Sequence, residues 1–301
     1  MTTRKLFAAL FTILFGLIAA APAAQATGNL KAIGLTQDGM LVRFNTGSPG
    51  NTKDIGFITG LQSPDTSLIG IDFRVQDGLL YGVGDVGGLY TINTQNAVAT
   101  PVPAPIGPAL DVDLDGTFFG VDFNPAANAL RIVSDTGQNL RHPFGAGATQ
   151  GVTQDDSATF GPLLYGVPVS LPATGVTAAA YTNNDDAIAV PNAASTGTTL
   201  FDIDPATVPP ATDPQDVVVI QSPANNGLLV STGSLGVDAD QDAGFDIFSK
   251  LGAGVAVSNA AFASLFVNGR YRLYTINLLT GKATAVGAFD DQVVDIALSL
   301  N

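Results

Sequence analysis

Apolar residues fall in short runs along this chain, many alternating with polar ones, each bounded by Gly, Pro, Asn or Asp. Beyond the first 26 residues no helical period of apolar positions is sustained, so the pattern predicts many short strands. The runs also repeat. Ile69-Gly70-Ile71-Asp72-Phe73, followed by Leu80 and Val83, returns fifty positions later, without a gap, as Phe119-Gly120-Val121-Asp122-Phe123, Leu130 and Val133. Leu89-Tyr90-Thr91-Ile92-Asn93 returns letter for letter as Leu273-Tyr274-Thr275-Ile276-Asn277. Strand-like self-similarity at about 50 residues marks stacked or radially arranged β units.

Each unit opens with an apolar-Gly-apolar-Asp strand, turns on Gly or Asn, and continues through a second apolar strand. A third of Leu-Tyr-x-Ile-Asn type and a fourth complete it. Units are expected from Leu68 and from Phe118. A diverged unit is expected from Val176, with Ala179-Ala180-Tyr181 opening it and Leu200–Asp204 as its third strand. A further unit is expected from Leu235-Gly236-Val237-Asp238. The N-terminal stretch supplies Leu30–Leu35, Met40–Phe44 and Ile55–Ile58 but lacks an opening strand. Val293-Val294-Asp295-Ile296-Ala297-Leu298 is an opening strand with nothing after it. Placing the last strand in the first unit closes a ring and removes its free edges. The expected fold is therefore all-β: a five-bladed β-propeller of four-stranded blades, closed by the C-terminal strand joining the N-terminal blade. Six blades is the alternative, with a degenerate unit hidden in Gly252–Asn259.

The first 26 residues read as a secretory leader. Arg4 and Lys5 precede a short apolar run, and Ala24-Gln25-Ala26 supplies the small-x-small cleavage pattern. A membrane anchor fits less well, because the run is short for a span and Pro22 ends it. The expectation is one propeller domain over residues 27–301, exported to the periplasm or beyond, with no membrane span in the mature chain. Losing Arg4 and Lys5 takes the formal charge from −14 to −16. Such acidity argues against nucleic acid as a partner and favours cations. With no Cys in the chain, closure and packing rather than disulfides hold the fold.

Candidate chemistry begins with an Asp at one point of the opening strands: Asp72, Asp122, Asp238 and Asp295, with Ala180 in the diverged unit. Opening strands are innermost in a propeller, so these carboxylates approach the axis. They either form an acidic ring that holds a cation or does acid–base work, or they accept backbone N–H bonds and stitch their own blades. Asp111-Val112-Asp113-Leu114-Asp115-Gly116 has the spacing of a Ca²⁺ loop, making Asp111, Asp113 and Asp115 candidate ligands of Ca²⁺, the one cofactor considered. Both this string and Asp238, Asp240, Asp242 and Asp246 around Gly244 also read as solvated acidic turns.

The polar run Asp135 to Arg141 is the strongest binding candidate. Arg131 and Arg141, with Asn139, Asn183 and Gln221, offer forked donors suited to a carboxylate or sugar. Their alternative is pairing with Asp residues of neighbouring blades. The lone His142, next to Pro143, is expected as a loop residue, and without Cys it supports neither a catalytic triad nor a His-based metal site.

Several of these segments resemble a bacterial family of exported proteins of unknown function with propeller-like repeats. The resemblance rests on Phe119-Gly120-Val121-Asp122-Phe123-Asn124-Pro125 and the run Arg131 to Arg141. It extends to Ala180-Tyr181-Thr182-Asn183, Gln221-Ser222-Pro223-Ala224-Asn225-Asn226-Gly227, Leu235–Asp238 and Gly244-Phe245-Asp246-Ile247. Asn128-Ala129 stands where the family carries an Asp-Arg pair. The resemblance implies secretion and a propeller-like fold but no reaction, and it adds Asn124, Tyr181 and Asn225 to the candidate binding residues. The sequence thus points to a secreted, non-enzymatic propeller binding a small molecule, glycan or protein. The alternatives are a carbohydrate-active hydrolase or lyase using the Asp ring and a Ca²⁺-stabilised envelope or matrix protein.

Overall fold

The computed structural model describes residues 29–147, 149–154, 161–166, 171–185, 197–206 and 216–300. The expected leader lies outside them. Five sheets, antiparallel except where Leu164–Tyr165 meets Leu228–Leu229 in parallel, stand around a common axis as a five-bladed β-propeller. Blade 1 contains β1 (Lys31–Thr36), β2 (Met40–Asn45) and β3 (Lys53–Phe57), and its innermost strand is β21 (Val293–Leu298). The register Ala32↔Leu298 and Gly34↔Ile296 closes the ring, the C-terminal strand joining the N-terminal blade as expected.

Blade 2 runs β4 (Leu68–Phe73), β5 (Leu80–Gly84), β6 (Leu89–Ile92) and β7 (Ala99–Pro101). Blade 3 has β8 (Phe119–Asn124), β9 (Ala129–Ser134) and β10 (Asn139–Pro143), with Gln154 bridging to Arg141 where an outer strand would lie. The short hairpin of β11 (Leu164–Tyr165) and β12 (Leu171–Pro172) then adds to the outer edge of blade 4. That blade comprises β13 (Ala178–Tyr181), β14 (Leu200–Asp204), β15 (Val217–Gln221) and β16 (Leu228–Ser234). Blade 5 is β17 (Ala243–Gly252), β18 (Val255–Val267), β19 (Arg270–Ile276) and β20 (Ala283–Ala288).

Three sequence expectations need correction. Leu200–Asp204 is the second strand of its blade, not the third. The last unit opens at Ala243 rather than Leu235, because Gly236 has φ +71°, a left-handed conformation that breaks an extended strand. Gly252–Asn259 is the tip of the β17–β18 hairpin and hides no sixth unit.

The repeated Gly of the opening strand has a steric cause. A Cβ on Gly120 would lie 2.5 Å from the Ala179 nitrogen, and one on Gly244 would lie 2.5 Å from Asp295 Cα. Glycine there lets neighbouring inner strands approach at the crowded axis. Apolar side chains from both faces of each blade fill the seams, so β5, β9 and β14 are buried along their whole length. Between blades 2 and 3, Tyr81, Phe123 and Phe144 meet edge-to-face with centroids 4.9–5.4 Å apart. Among the described residues no helix is long and apolar enough to cross a membrane.

Candidate functional site

Three carboxylates meet near one end of the axis. Oxygens of Asp72, Asp122 and Asp246 lie within 4.8 Å of one another, and all three residues are buried. Each reaches across a seam to the next blade, and Asp72 and Asp246 also accept the N–H of the following residue on their own strand, Phe73 at 2.6 Å and Ile247 at 2.5 Å. Asp72 accepts the N–H of Phe123 at 2.7 Å, and Asp122 accepts that of Tyr181 at 2.9 Å. Asp246 accepts the N–H of Leu298 at 2.5 Å. The receiving residues follow Asp122, Ala180 and Ala297, so Ala297 holds the equivalent place in blade 1. Ala180 has no carboxylate to offer blade 5. There the seam is joined by Asn183 N–H to Ser249 Oγ at 2.7 Å and Ser249 N–H to Asn184 Oδ1 at 2.9 Å.

Two members of the expected Asp ring are placed differently. Asp238 is exposed in the connection between β16 and β17, and Asp246 takes the axial place. Asp295 stands two residues before the row, in the layer of the inner glycines, and accepts Ile71 N–H at 2.8 Å and Ile296 N–H at 2.9 Å. Burial pushes all four axial acids upward, Asp246 to about 7, and mutual repulsion raises Asp72 and Asp122 further. The space the triad borders is small, about 20 Å³, with Tyr181, Asn183 and Leu300 around it. That is room for a water-sized occupant, not for a sugar ring held between two carboxylates.

The opposite end is open. A funnel of about 380 Å³ lies where the inner strands begin and draws wall residues from every blade, among them Leu68, Phe119, Thr177, Ala243 and Asp295. Asp85 and Asp242 also line it. Asp85 accepts Thr66 N–H and Oγ1–H, both at 2.7 Å, and Ser67 N–H at 3.2 Å. Although burial opposes it, these bonds hold its carboxyl below the usual range. Asp135, fifty positions on, bonds Thr117 and Phe118 N–H in the same way. Asp242 accepts the Tyr271 hydroxyl, and burial raises its pKa.

A second convergence gathers five candidates named from sequence. Arg131 is 2% exposed in the seam between blades 3 and 4. Its guanidinium donates to Asn139 Oδ1 at 2.8 Å, Asn225 Oδ1 at 2.8 Å and the Tyr181 hydroxyl at 3.2 Å. Gln221 Nε2 donates to the same Asn139 oxygen at 3.0 Å. Neither oxygen of the fully buried Asp202 has a hydrogen-bond partner among the described residues. Burial raises its pKa, while the positive field of Arg131 acts in the opposite direction. The arrangement fixes the seam and pins Gly161 and Ala224 through Asn139 Nδ2.

Arg141 lies opposite Arg131 in register and donates to Gln154 Oε1 at 2.6 Å. Asn124 Oδ1 accepts Ala127 N–H at 2.9 Å and shapes the β8–β9 turn. His142 is buried on β10 rather than in a loop, its Nδ1 2.9 Å from Thr153 Oγ1. In the Asp-x-Asp-x-Asp string, Asp111 accepts Thr153 N–H at 2.6 Å, while the backbone at Asp113 and Asp115 bonds the Gln138 amide. Asp111, Asp113 and Asp115 are exposed, and their carboxylates do not gather as those of the axial triad do. Sequence reasoning missed the Asp85–Asp242–Thr177 funnel, although the fifty-residue spacing of Asp85 and Asp135 was a signal for its rim.

Fold and site define a β-propeller with a polar axis. The chain belongs to the family described as Domain of unknown function (DUF4394), which it matches over residues 40–297. No curated protein matches it. Among solved structures it is similar to a nidogen/laminin complex chain, at 10% identity and TM-score 0.44, over 91% of this chain and 99% of that one. It is also similar to a 6-phosphogluconolactonase-like protein of Bacteroides fragilis NCTC 9343, at 13% identity and TM-score 0.39, over 90% and 71% of the two chains. The apo AztD structure from Citrobacter koseri shares 11% identity at TM-score 0.33, over 87% and 83%. Likenesses this distant carry no argument about function.

Proposed function

We propose that this protein is an exported, non-catalytic binding module whose ligand enters the axial funnel. The observation that carries the reading is the funnel itself: one concavity of about 380 Å³ to which all five blades contribute. Its volume lies in the range of small-molecule sites. The axial carboxylates support a non-catalytic role, since they are bonded to backbone N–H groups around a space too small for a substrate. The buried network of Arg131 supports a structural part for the residues that sequence favoured as a clamp. Export rests on the leader-like residues 1–26.

A thermal-shift screen of the chain from Thr27 against amines, glycans, small acids and divalent metals tests the reading. Thr117, exposed on the funnel wall, is replaced by Trp to narrow the mouth. The expected result is a ligand-induced rise in Tm that Thr117→Trp abolishes and Arg141→Ala leaves intact. A rise lost in Arg141→Ala but kept in Thr117→Trp would move the site to blade 3.

A further inference from the structure

Resting on the reading of the funnel as a ligand site, we infer that its ligand is a small organic cation, an ammonium group carrying apolar substituents. Three carboxylates from different parts of the ring face the space: Asp85 of blade 2, Asp242 before blade 5 and Asp295 of blade 1. No Lys, Arg or His stands among the described residues that line it. Asp85 is held below the usual range and so stays charged, while burial raises Asp242 and Asp295. An anion would meet the uncompensated charge of Asp85, whereas a cation is attracted by it and by the net charge of −14 and favours the ionised forms of the other two.

The remaining wall distinguishes an organic cation from a metal ion. Leu68, Leu114, Phe118, Phe119 and Val294 make much of the lining apolar. A hard divalent ion asks for six or more oxygen ligands close around it. An alkylated or aromatic ammonium instead uses apolar walls for its substituents and ring faces for its charge. Thr177 supplies an independent sign of an absent partner. It is fully buried at the funnel wall, and its Oγ1 has no hydrogen-bond partner among the described residues. Buried hydroxyls are normally paired, and an ammonium N–H donor completes this one.

Isothermal titration calorimetry on the chain from Thr27 tests the inference with benzylamine hydrochloride and tetramethylammonium chloride. Benzyl alcohol serves as the neutral match, and glucose and CaCl₂ as the other arms. The expected result is saturable binding of an ammonium, at least tenfold weaker binding of benzyl alcohol, and at least tenfold loss in Asp85→Asn. The Asn oxygen still accepts the Thr66 and Ser67 N–H groups, so the loop is kept; if that variant fails to fold, Asp242→Asn carries the same test. Equal binding of benzylamine and benzyl alcohol, or an ammonium affinity unchanged by Asp85→Asn, overturns the inference. So does binding of glucose or Ca²⁺ where both ammonium probes give no heat. If that binding disappears in Thr117→Trp, the funnel survives as the site and the cation alone is refuted. If no probe binds to either protein, the cation inference fails, and the funnel reading is then judged by the screen above.

Discussion

Asp72 accepts the backbone N–H of Phe123 at 2.7 Å, and the residue just before Phe123 is Asp122, which passes the same bond on to Tyr181 at 2.9 Å. The repeated Asp is therefore a seam device: each copy secures the inner strand of the next blade. Because the acceptor is needed and the charge is not, the two obvious substitutions part company. Asp122→Ala leaves the Tyr181 N–H buried and unpaired and is expected to cost about 1–3 kcal/mol. Asp122→Asn keeps an acceptor and removes repulsion from Asp72 and Asp246, so its stability equals or exceeds that of the parent. Urea unfolding of the two variants checks this; equal losses would contradict it.

The axial acids also set a pH dependence. Asp246 titrates near 7 in the folded chain against an ordinary 3.8, and Asp72, Asp122 and Asp295 are raised in the same direction. An acid raised on folding binds more protons in the native state than in the unfolded one between those values. Its contribution is whole below the ordinary value and is lost as pH rises through the folded one. The urea midpoint is expected to fall from pH 5 to pH 8, with a shallower fall in Asp246→Asn. Asp85 and Asp111, lowered on folding, act below this window. Parallel pH profiles for parent and variant would refute the assignment.

Arg131 is expected to be structural. Replacing it with Met strips donors from Asn139, Asn225 and the Tyr181 hydroxyl at once, at a cost of roughly 2–4 kcal/mol. Tyr181→Phe removes one bond and costs about 1 kcal/mol. Thermal unfolding measures both; a Met variant as stable as the parent would return Arg131 to the list of ligand-binding candidates.

Ring closure depends on β21, which pairs with β1 and packs Val293, Ile296 and Leu298 into the seam between blades 5 and 1. Deleting Val293–Asn301 is expected to abolish cooperative unfolding by circular dichroism. A truncated chain with a sharp transition would contradict velcro-type closure.

The ring was legible in the sequence because its cause is local: a Gly with an Asp two residues on, as in Gly70–Asp72, Gly120–Asp122 and Gly244–Asp246, marks the inner strands of blades 2, 3 and 5. The same short grammar misled at Leu235–Asp238, where Gly236 turns left-handed and Asp238 stays in solvent. Only the pairing of β17 with β18 decides between that segment and Gly244–Asp246. Arg131, Asn139 and Gln221 stood out as forked donors, and Tyr181 and Asn225 through the family resemblance, and the five do converge. Their burial, set by the approach of two blades, has no signature within either segment. The funnel was least legible, since Asp85, Thr177 and Asp242 come from separate connections that share no motif, and Asp295 on β21 was read as part of the axial ring.

Hydrogen–deuterium exchange with and without the strongest stabilising ligand tests the central claim, that the funnel mouth binds. The expected result is ligand-dependent protection of residues 36–39, 67–69, 114–119 and 294–295, which border the funnel. Protection confined to residues 181–184, 247 and 298–300, at the opposite end of the axis, would contradict it.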